Sequence, residues 1–248
     1  MGQHLLLVRD ITQSVEMIRM RRDFVANASH ELRSPLTVIA GYLDVMGEDE
    51  KLPDAWRAPV ADMRDQAERM SNLVRDLLQL SKLESSDSCS REHVVDIAAI
   101  LSSAQREAMS LSSSHVTHDV HVDMQSGAGL LGEETDIQSV VSNLVTNALR
   151  YTPEDGSIRI SWQVDDEGGH LSVVDSGIGV RQEDIPRLTE RFYRTDAGRA
   201  HQKSGTGLGL AIVKHALKRH DAELEIRSEL GAGSAFVCHF PKDRLTAA

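Results

Sequence analysis

His30 is followed at once by a carboxylate, in the run His30-Glu31-Leu32-Arg33-Ser34-Pro35-Leu36-Thr37. An imidazole with Glu31 beside it is a nucleophile with a base next to it. Ser34 and Thr37 fall on the same face if the run is helical. Pro35 inside a helix costs about 3 kcal/mol and frees the Glu31 carbonyl, bending the chain beside the histidine. The same residues also describe a surface histidine in a kinked helix.

Further along, Asn143 and Asn147 stand one helical turn apart, followed by Arg150 and Tyr151. Neutral amide oxygens on one face can complete a Mg²⁺ shell that water and phosphate oxygens mostly fill, with Arg150 adding charge to the phosphates. Asp175-Ser176-Gly177-Ile178-Gly179 puts a carboxylate at a strand end with two glycines behind it. Such a backbone can approach a flat ligand while the acid accepts from an exocyclic amine; tight turns use the same residues. Gly205-Thr206-Gly207-Leu208-Gly209-Leu210 opens a helix whose N-terminus and backbone N–H groups suit an anion. It lacks the Lys-Ser/Thr of a P-loop and follows a loop, so neither that motif nor a Rossmann fingerprint applies. Between the two glycine motifs lie about 25 residues without apolar periodicity, the length of a lid. Glu190-Arg191-Phe192-Tyr193-Arg194 offers that lid an anchor, by aromatic packing and two cations able to reach a terminal phosphate.

These residues need elements to position them. Ile18, Val25, Leu32, Ile39 and Met46 recur every seventh residue, and Val15, Arg22, Ser29, Leu36 and Leu43 form a second track. Together they predict a helix of roughly 35 residues with a coiled-coil seam, weakened at Arg22 and Ser29, and His30 next to it. Gly47 and residues 48–53 break the pattern. A second helix follows from Asp54 to Leu83, carrying Val60, Met63, Ala67, Met70, Leu73, Leu77 and Leu80. A two-helix hairpin cannot bury both its faces, so pairing with a copy into a four-helix bundle is expected through residues 15–83.

The polar, serine-rich stretch 84–91 reads as a linker. Beyond it, helices are expected over 97–109, 133–151 and 207–219, and strands over 116–124, 157–164, 170–175, 222–228 and 234–240. Strands and helices interleave without a βαβ rhythm, predicting an α+β chain whose second part is an α/β sandwich.

Composition narrows the function. The 248 residues carry 27 Lys and Arg against 38 Asp and Glu, a net charge of −11, with 4% aromatics. No nucleic acid partner is expected of such a surface. Cys89 and Cys238 are too few for a disulfide framework and lack zinc spacing. No apolar run approaches the ~18 residues of a membrane span.

The order of the segments is more telling than any one of them. H-E-L-R-S-P-L-T, N-L-x-x-N-A-x-x-Y-T, D-S-G-I-G, E-R-F-Y-R and G-T-G-L-G-L follow one another as the H, N, G1, F and G2 boxes do in class I sensor histidine kinases, which residues 15–241 resemble. Residues 22–30 and 211–215 are similar to the phosphate-regulon sensor subgroup. The resemblance implies a dimerisation and phosphotransfer domain over 13–84 and a Bergerat-type ATP-binding domain over 92–242. It implies ATP and Mg²⁺ as cofactors, a homodimer, and a response-regulator receiver domain as partner. His30 would be the phosphoacceptor, Glu31 its base, and Ser34 a residue positioning water for receiver dephosphorylation. Asn147 and Asn143 would hold Mg²⁺, Arg150 and Tyr151 the phosphates and nucleotide flank, and Asp175 the adenine amine, backed by Gly177 and Gly179. Gly205, Thr206, Gly207, Leu208, Gly209 and Leu210 would form the base of the lid, with Arg194 near the γ-phosphate. Residues 1–12 resemble the last strand of a PAS domain, implying a parent anchored in the plasma membrane whose cytoplasmic part this is, without membrane contact of its own. Ser34, Arg150 and Val180 stand where the family more often has Thr or Asn, Lys, and Ile. A catalytically silent dimeric scaffold that binds a receiver domain is the alternative reading.

Overall fold

The computed structural model describes residues 12–84, 89–112, 118–195 and 205–246, without the side chains of 12–26, 30, 111 and 112. Two compact units are present, 1–85 and 86–248. The PAS-like segment lies outside the described residues apart from Thr12, which opens the first helix.

The first unit is the expected helical hairpin, α1 (Thr12–Glu48) and α2 (Asp54–Glu84). Asp49 makes the turn: its carboxylate accepts from the Lys51 N–H at 2.9 Å, and its carbonyl accepts from Leu52 N–H at 3.0 Å. Pro53, lacking an N–H, then leads into α2, where no helical donor is needed. Leu43, Val60 and Ala67 form a buried cluster with Ala40 and Leu52 packed against it. The heptad divides cleanly here. Ser29, Leu36 and Leu43 are buried, while Leu32, Ile39 and Met46 on the other track remain 41–49% exposed. Met63 and Met70 on α2 are exposed as well. Pro35 and Pro59 both lie inside their helices, and near Pro35 the Thr37 hydroxyl donates to the Arg33 carbonyl at 2.9 Å. That back-bond favours a bend at the same place.

The second unit is a mixed sheet with helices on one face. Its strands are β2 (Asp119–Met124), β4 (Ser157–Val164), β5 (Gly168–Asp175), β6 (Glu223–Glu229) and β7 (Gly233–Pro241), in the order β2-β4-β5-β7-β6. Only β2 and β4 run parallel, joined through α4 (Glu134–Tyr151). A separate pair, β1 (Val94–Val95) and β3 (Leu130–Leu131), was not expected from the sequence; two residues are too few to show alternation. Helix α3 (Ile97–Ser112) packs on β2, α4 on β4 and β5, and α5 (Gly209–Arg219) on β6.

The core follows from the periodicities. Ile137, Val140, Val141, Leu144, Val145 and Ala148 of α4 are all buried, against Ile158, Ile160 and Trp162 of β4 and Leu171 and Val173 of β5. Each such side chain contributes ~1.5–3 kcal/mol by leaving water. Trp162 satisfies its ring N–H on the Ala128 carbonyl at 3.0 Å and meets Phe240 edge-on. Gly169 is required opposite it, since a Cβ there would lie 2.4 Å from the indole. Alternate residues of β4, β5 and β7 point to the other, open face, among them Arg159, Gln163, His170, Ser172, Val174 and His239.

Candidate functional site

Helix α4 carries the first part of the site, and its start is built by a residue far away in sequence. Glu133 makes no side-chain cap. Its backbone N–H instead donates to Nε2 of His220, 3.1 Å away at the end of α5, while His220 Nδ1 donates to the Ala216 carbonyl at 2.8 Å. Two such bonds fix the neutral ring tautomer, and burial pushes the His220 imidazole below its usual range. Gly132 leaves room for it, because a Cβ there would lie 2.4 Å from the ring. Beside this contact Asp136 and Arg219 form a direct ion pair between α4 and α5. Burial holds the Asp136 carboxyl above its usual range, outweighing the guanidinium. Acidic Glu134 and Asp136 in the first turn and Arg150 in the last also match the helix dipole.

Asn143 and Asn147 are half-buried on the flank of the buried stripe. The Asn143 amide donates to the Ser139 carbonyl at 2.9 Å and hydroxyl at 3.3 Å, leaving Oδ1 as its outward end. That oxygen meets the beginning of α5: a Cβ on Gly209 would lie 2.6 Å from it. One turn on, Gly205 sits against Arg150 and Tyr151, where a Cβ would be 3.0 Å from Arg150 Nη1 and 3.9 Å from the Tyr151 hydroxyl.

Asp175 ends β5 as a buried carboxylate, its Oδ1 accepting from Gly177 N–H at 2.8 Å. Burial raises it above the usual carboxylate range, against the lowering pull of the Gly177 and Ser234 N–H groups. The loop then turns onto the end of α4, with Ile178 N–H donating to the Tyr151 carbonyl at 3.1 Å. The glycines serve packing within the chain. A Cβ on Gly177 would lie 2.6 Å from both Asp175 Oδ1 and the Tyr151 carbonyl, and one on Gly179, at φ +65°, would lie 1.9 Å from the Glu229 carbonyl.

The segment that leads into α5 is also tied down. Phe192 N–H donates to the Gly207 carbonyl at 2.8 Å. Both residues have positive φ, +62° and +73°, and a Cβ on Gly207 would lie 2.8 Å from the Phe192 backbone. The expected aromatic packing belongs to Tyr193 and not to Phe192, whose ring is 57% exposed. The Tyr193 hydroxyl donates to Asp184, and the Arg187 guanidinium lies 4.2 Å over its ring. Leu208 is fully buried and anchors the start of α5, a helix N-terminus whose dipole favours an anion.

The structure thus brings Asn143, Asn147, Arg150, Tyr151, Asp175, Gly177, Gly205, Gly207 and Gly209 together at one end of the second unit. Arg194 follows Tyr193 directly, and Thr206 accepts the Leu208 N–H at 3.2 Å; Leu210 is half-buried on α5. Ser34 and Glu31 lie exposed on α1 in the first unit, and His30, whose side chain is outside the description, belongs to the same helix. Neutral amide oxygens, one arginine, a buried carboxylate and a helix N-terminus reached through glycines are a donor set that fits a Mg²⁺-nucleotide. His220, Gly132 and Arg219 were not singled out by sequence; each acts through a partner distant along the chain.

The fold is thus an α/β sandwich with a site suited to a nucleotide, preceded in sequence by a helical hairpin that bears a His-Glu pair. Residues 20–86 match the His Kinase A (phospho-acceptor) domain, and residues 132–244 match the histidine kinase-, DNA gyrase B- and HSP90-like ATPase. The two matches together are the domain pair of class I sensor histidine kinases, to which the chain is similar. It is 51% identical over 239 residues to the phosphate regulon sensor protein PhoR of Pseudomonas aeruginosa, covering 96% of this chain and 54% of that protein. The Haemophilus influenzae PhoR is 36% identical over 97% of this chain and 56% of its own length. The chain therefore spans little more than half of these relatives. Among solved structures, full-length ShkA in complex with AMPPNP aligns with a TM-score of 0.71 at 27% identity, over 91% of this chain and 46% of that one.

Proposed function

We propose that this chain is the kinase portion of a phosphate-regulon-type sensor, which phosphorylates itself on His30 with ATP and passes the phosphoryl group to an aspartate of a response-regulator receiver domain. The observation that carries this reading is the convergence of Asn143, Asn147, Arg150, Asp175 and the Gly205–Gly209 segment in a chain that also presents His30-Glu31 on a helical hairpin. In this reading a His30 ring nitrogen attacks the γ-phosphorus, the bond to the β,γ-bridging oxygen breaks, and ADP leaves. Glu31 accepts the proton on the other ring nitrogen, which keeps the attacking nitrogen electron-rich. Asp175 accepts from the adenine amine, Arg150 and Arg194 face the phosphates, and Tyr151 flanks the nucleotide. Asn147 and Asn143 would hold Mg²⁺, whose charge offsets that of the phosphates. Ser34 positions water when the receiver is dephosphorylated.

The working protein is a homodimer in this proposal. The exposed Leu32, Ile39, Met46, Met63 and Met70 supply the apolar stripe that a second hairpin covers in a four-helix bundle. Functional boundaries at 13–84 and 92–242 go with it. No helix among the described residues is long and apolar enough to cross a membrane, and in the proposal the membrane anchor belongs to the parent protein. Incubation with γ-labelled ATP and Mg²⁺ tests the reading: an acid-labile, alkali-stable label is expected, and it is lost in His30→Gln. Undiminished labelling of His30→Gln overturns the assignment.

A further inference from the structure

On the open face of the sheet, His170 of β5 and His239 of β7 are register partners. Their Nδ1 atoms are 2.9 Å apart. Each ring turns its Nε2 to a carboxylate, His170 to Asp165 Oδ1 at 3.0 Å and His239 to Glu225 Oε2 at 3.1 Å. Both carboxylates are themselves fixed. Arg227 holds Glu225 through two bonds, at 2.6 and 2.8 Å. Asp165 accepts from the Glu167 and Gly168 N–H groups as well.

A carboxylate only accepts, so each Nε2 is the nitrogen that carries hydrogen. A neutral imidazole with hydrogen on Nε2 presents a bare lone pair at Nδ1. Two lone pairs at 2.9 Å repel each other unless a cation is shared between them. The carboxylate behind each ring is the outer partner that metal-binding histidines carry, fixing the tautomer and the ring's orientation. The spacing also selects a geometry. With metal–nitrogen bonds of ~2.05 Å, neighbouring ligands at a right angle are ~2.9 Å apart, and tetrahedral ones ~3.3 Å. The pair therefore matches adjacent positions on a tetragonal or octahedral ion. The side chains are accessible, His170 being 16% and His239 38% exposed.

We propose that His170 and His239 form a two-histidine site for a divalent transition metal of the Cu²⁺ or Ni²⁺ type. No group of three or more His, Cys, Asp or Glu side chains converges on a metal position among the described residues, so water completes the coordination. The ion would cross-link β5 to β7 on the face opposite the helices. Asp175 lies five residues farther along β5, ~17 Å at the rise of an extended strand, so this site is separate from the nucleotide pocket.

The test is calorimetric titration of the full chain with NiCl₂, with paramagnetic resonance of the Cu²⁺-loaded protein. A His4→Ala background keeps the amino-terminal residues from contributing a copper site. One equivalent of metal should depend on this pair, with hyperfine splitting from two imidazole nitrogens. Binding should weaken at least tenfold in His170→Gln and in His239→Gln, and ~10–100-fold in Asp165→Asn. Val174→Ala, on the same face, should leave it unchanged. Circular dichroism of each variant confirms that the fold is retained. Equal affinity and stoichiometry in His170→Gln and His239→Gln overturn the proposal. So does a chain that binds neither ion at this pair, which would leave a shared proton as the only occupant.

Discussion

His220 gives a prediction whose size can be worked from its contacts. Replacing it with leucine removes the acceptor for Glu133 N–H and the donor to the Ala216 carbonyl, both now bonded at 3.1 and 2.8 Å around a fully buried ring. Leaving a buried polar group without a partner costs ~1–3 kcal/mol. Two such groups, one of them reached by water at the helix end, give a loss of ~2–4 kcal/mol. For a unit of this size that lowers the melting midpoint by about 5–15 °C. The pH dependence is the sharper signature. The His220 imidazole is pushed below its usual value of 6.5 in the fold, so the unfolded chain takes up the proton first. Its stabilising contribution is therefore complete above pH 6.5 and is lost as pH falls through the depressed folded value. Protonation would set a ring N–H against the Glu133 N–H. The chain has two tryptophans, Trp56 in the hairpin and Trp162 in the sheet, so a Trp56→Phe background makes fluorescence report the second unit alone. Urea titrations from pH 5 to 8 should show stability falling on the acid side in the parent, and a shallower slope in His220→Leu. An identical acid-side slope in the two proteins, or no loss of stability at pH 8, refutes the reasoning.

Other perturbations follow from the same geometry. Asp175→Asn turns one carboxylate oxygen into an N–H donor where an amine donor is expected; calorimetry should find ATP binding ~10–100-fold weaker, at the cost of one charge-assisted bond. Gly207→Ala places a methyl 2.8 Å from the Phe192 backbone at φ +73°; it should destabilise the second unit by at least ~1–2 kcal/mol in urea titration. Ile39→Asp puts a charge in the exposed apolar stripe, and light scattering should report a monomer for it and the proposed dimer for the parent; a dimer of the variant persisting at micromolar concentration counts against that interface.

Local periodicity carried most of the fold. The apolar spacing at 137, 140, 141, 144, 145 and 148 defines α4 and its buried side together. Alternation over 157–164 gives β4 with the same ends. The heptad located the first hairpin helix and 3–4 apolar spacing the second, but which track the chain covers for itself and which it leaves open became visible only with α2 in place. The glycine motifs were legible as sequence, but not that Gly177, Gly179 and Gly207 admit the chain's own backbone. Contacts between distant residues left no local pattern. His220 and Glu133 are 87 positions apart, and their bond depends on how α5 docks against α4. Aromatic packing was expected of the Glu190–Arg194 segment as a whole; Phe192, at positive φ, is exposed, and Tyr193 makes the contacts.

The loop from Asp175 to Gly179 is enclosed on both sides. Ile178 N–H donates to the Tyr151 carbonyl and the Ile178 carbonyl accepts from Gly231 N–H, while Gly179 lies against the Glu229 carbonyl. A single residue added between Asp175 and Gly179 would break the contacts to Tyr151 and Glu229 together, so this loop should refuse any change of length.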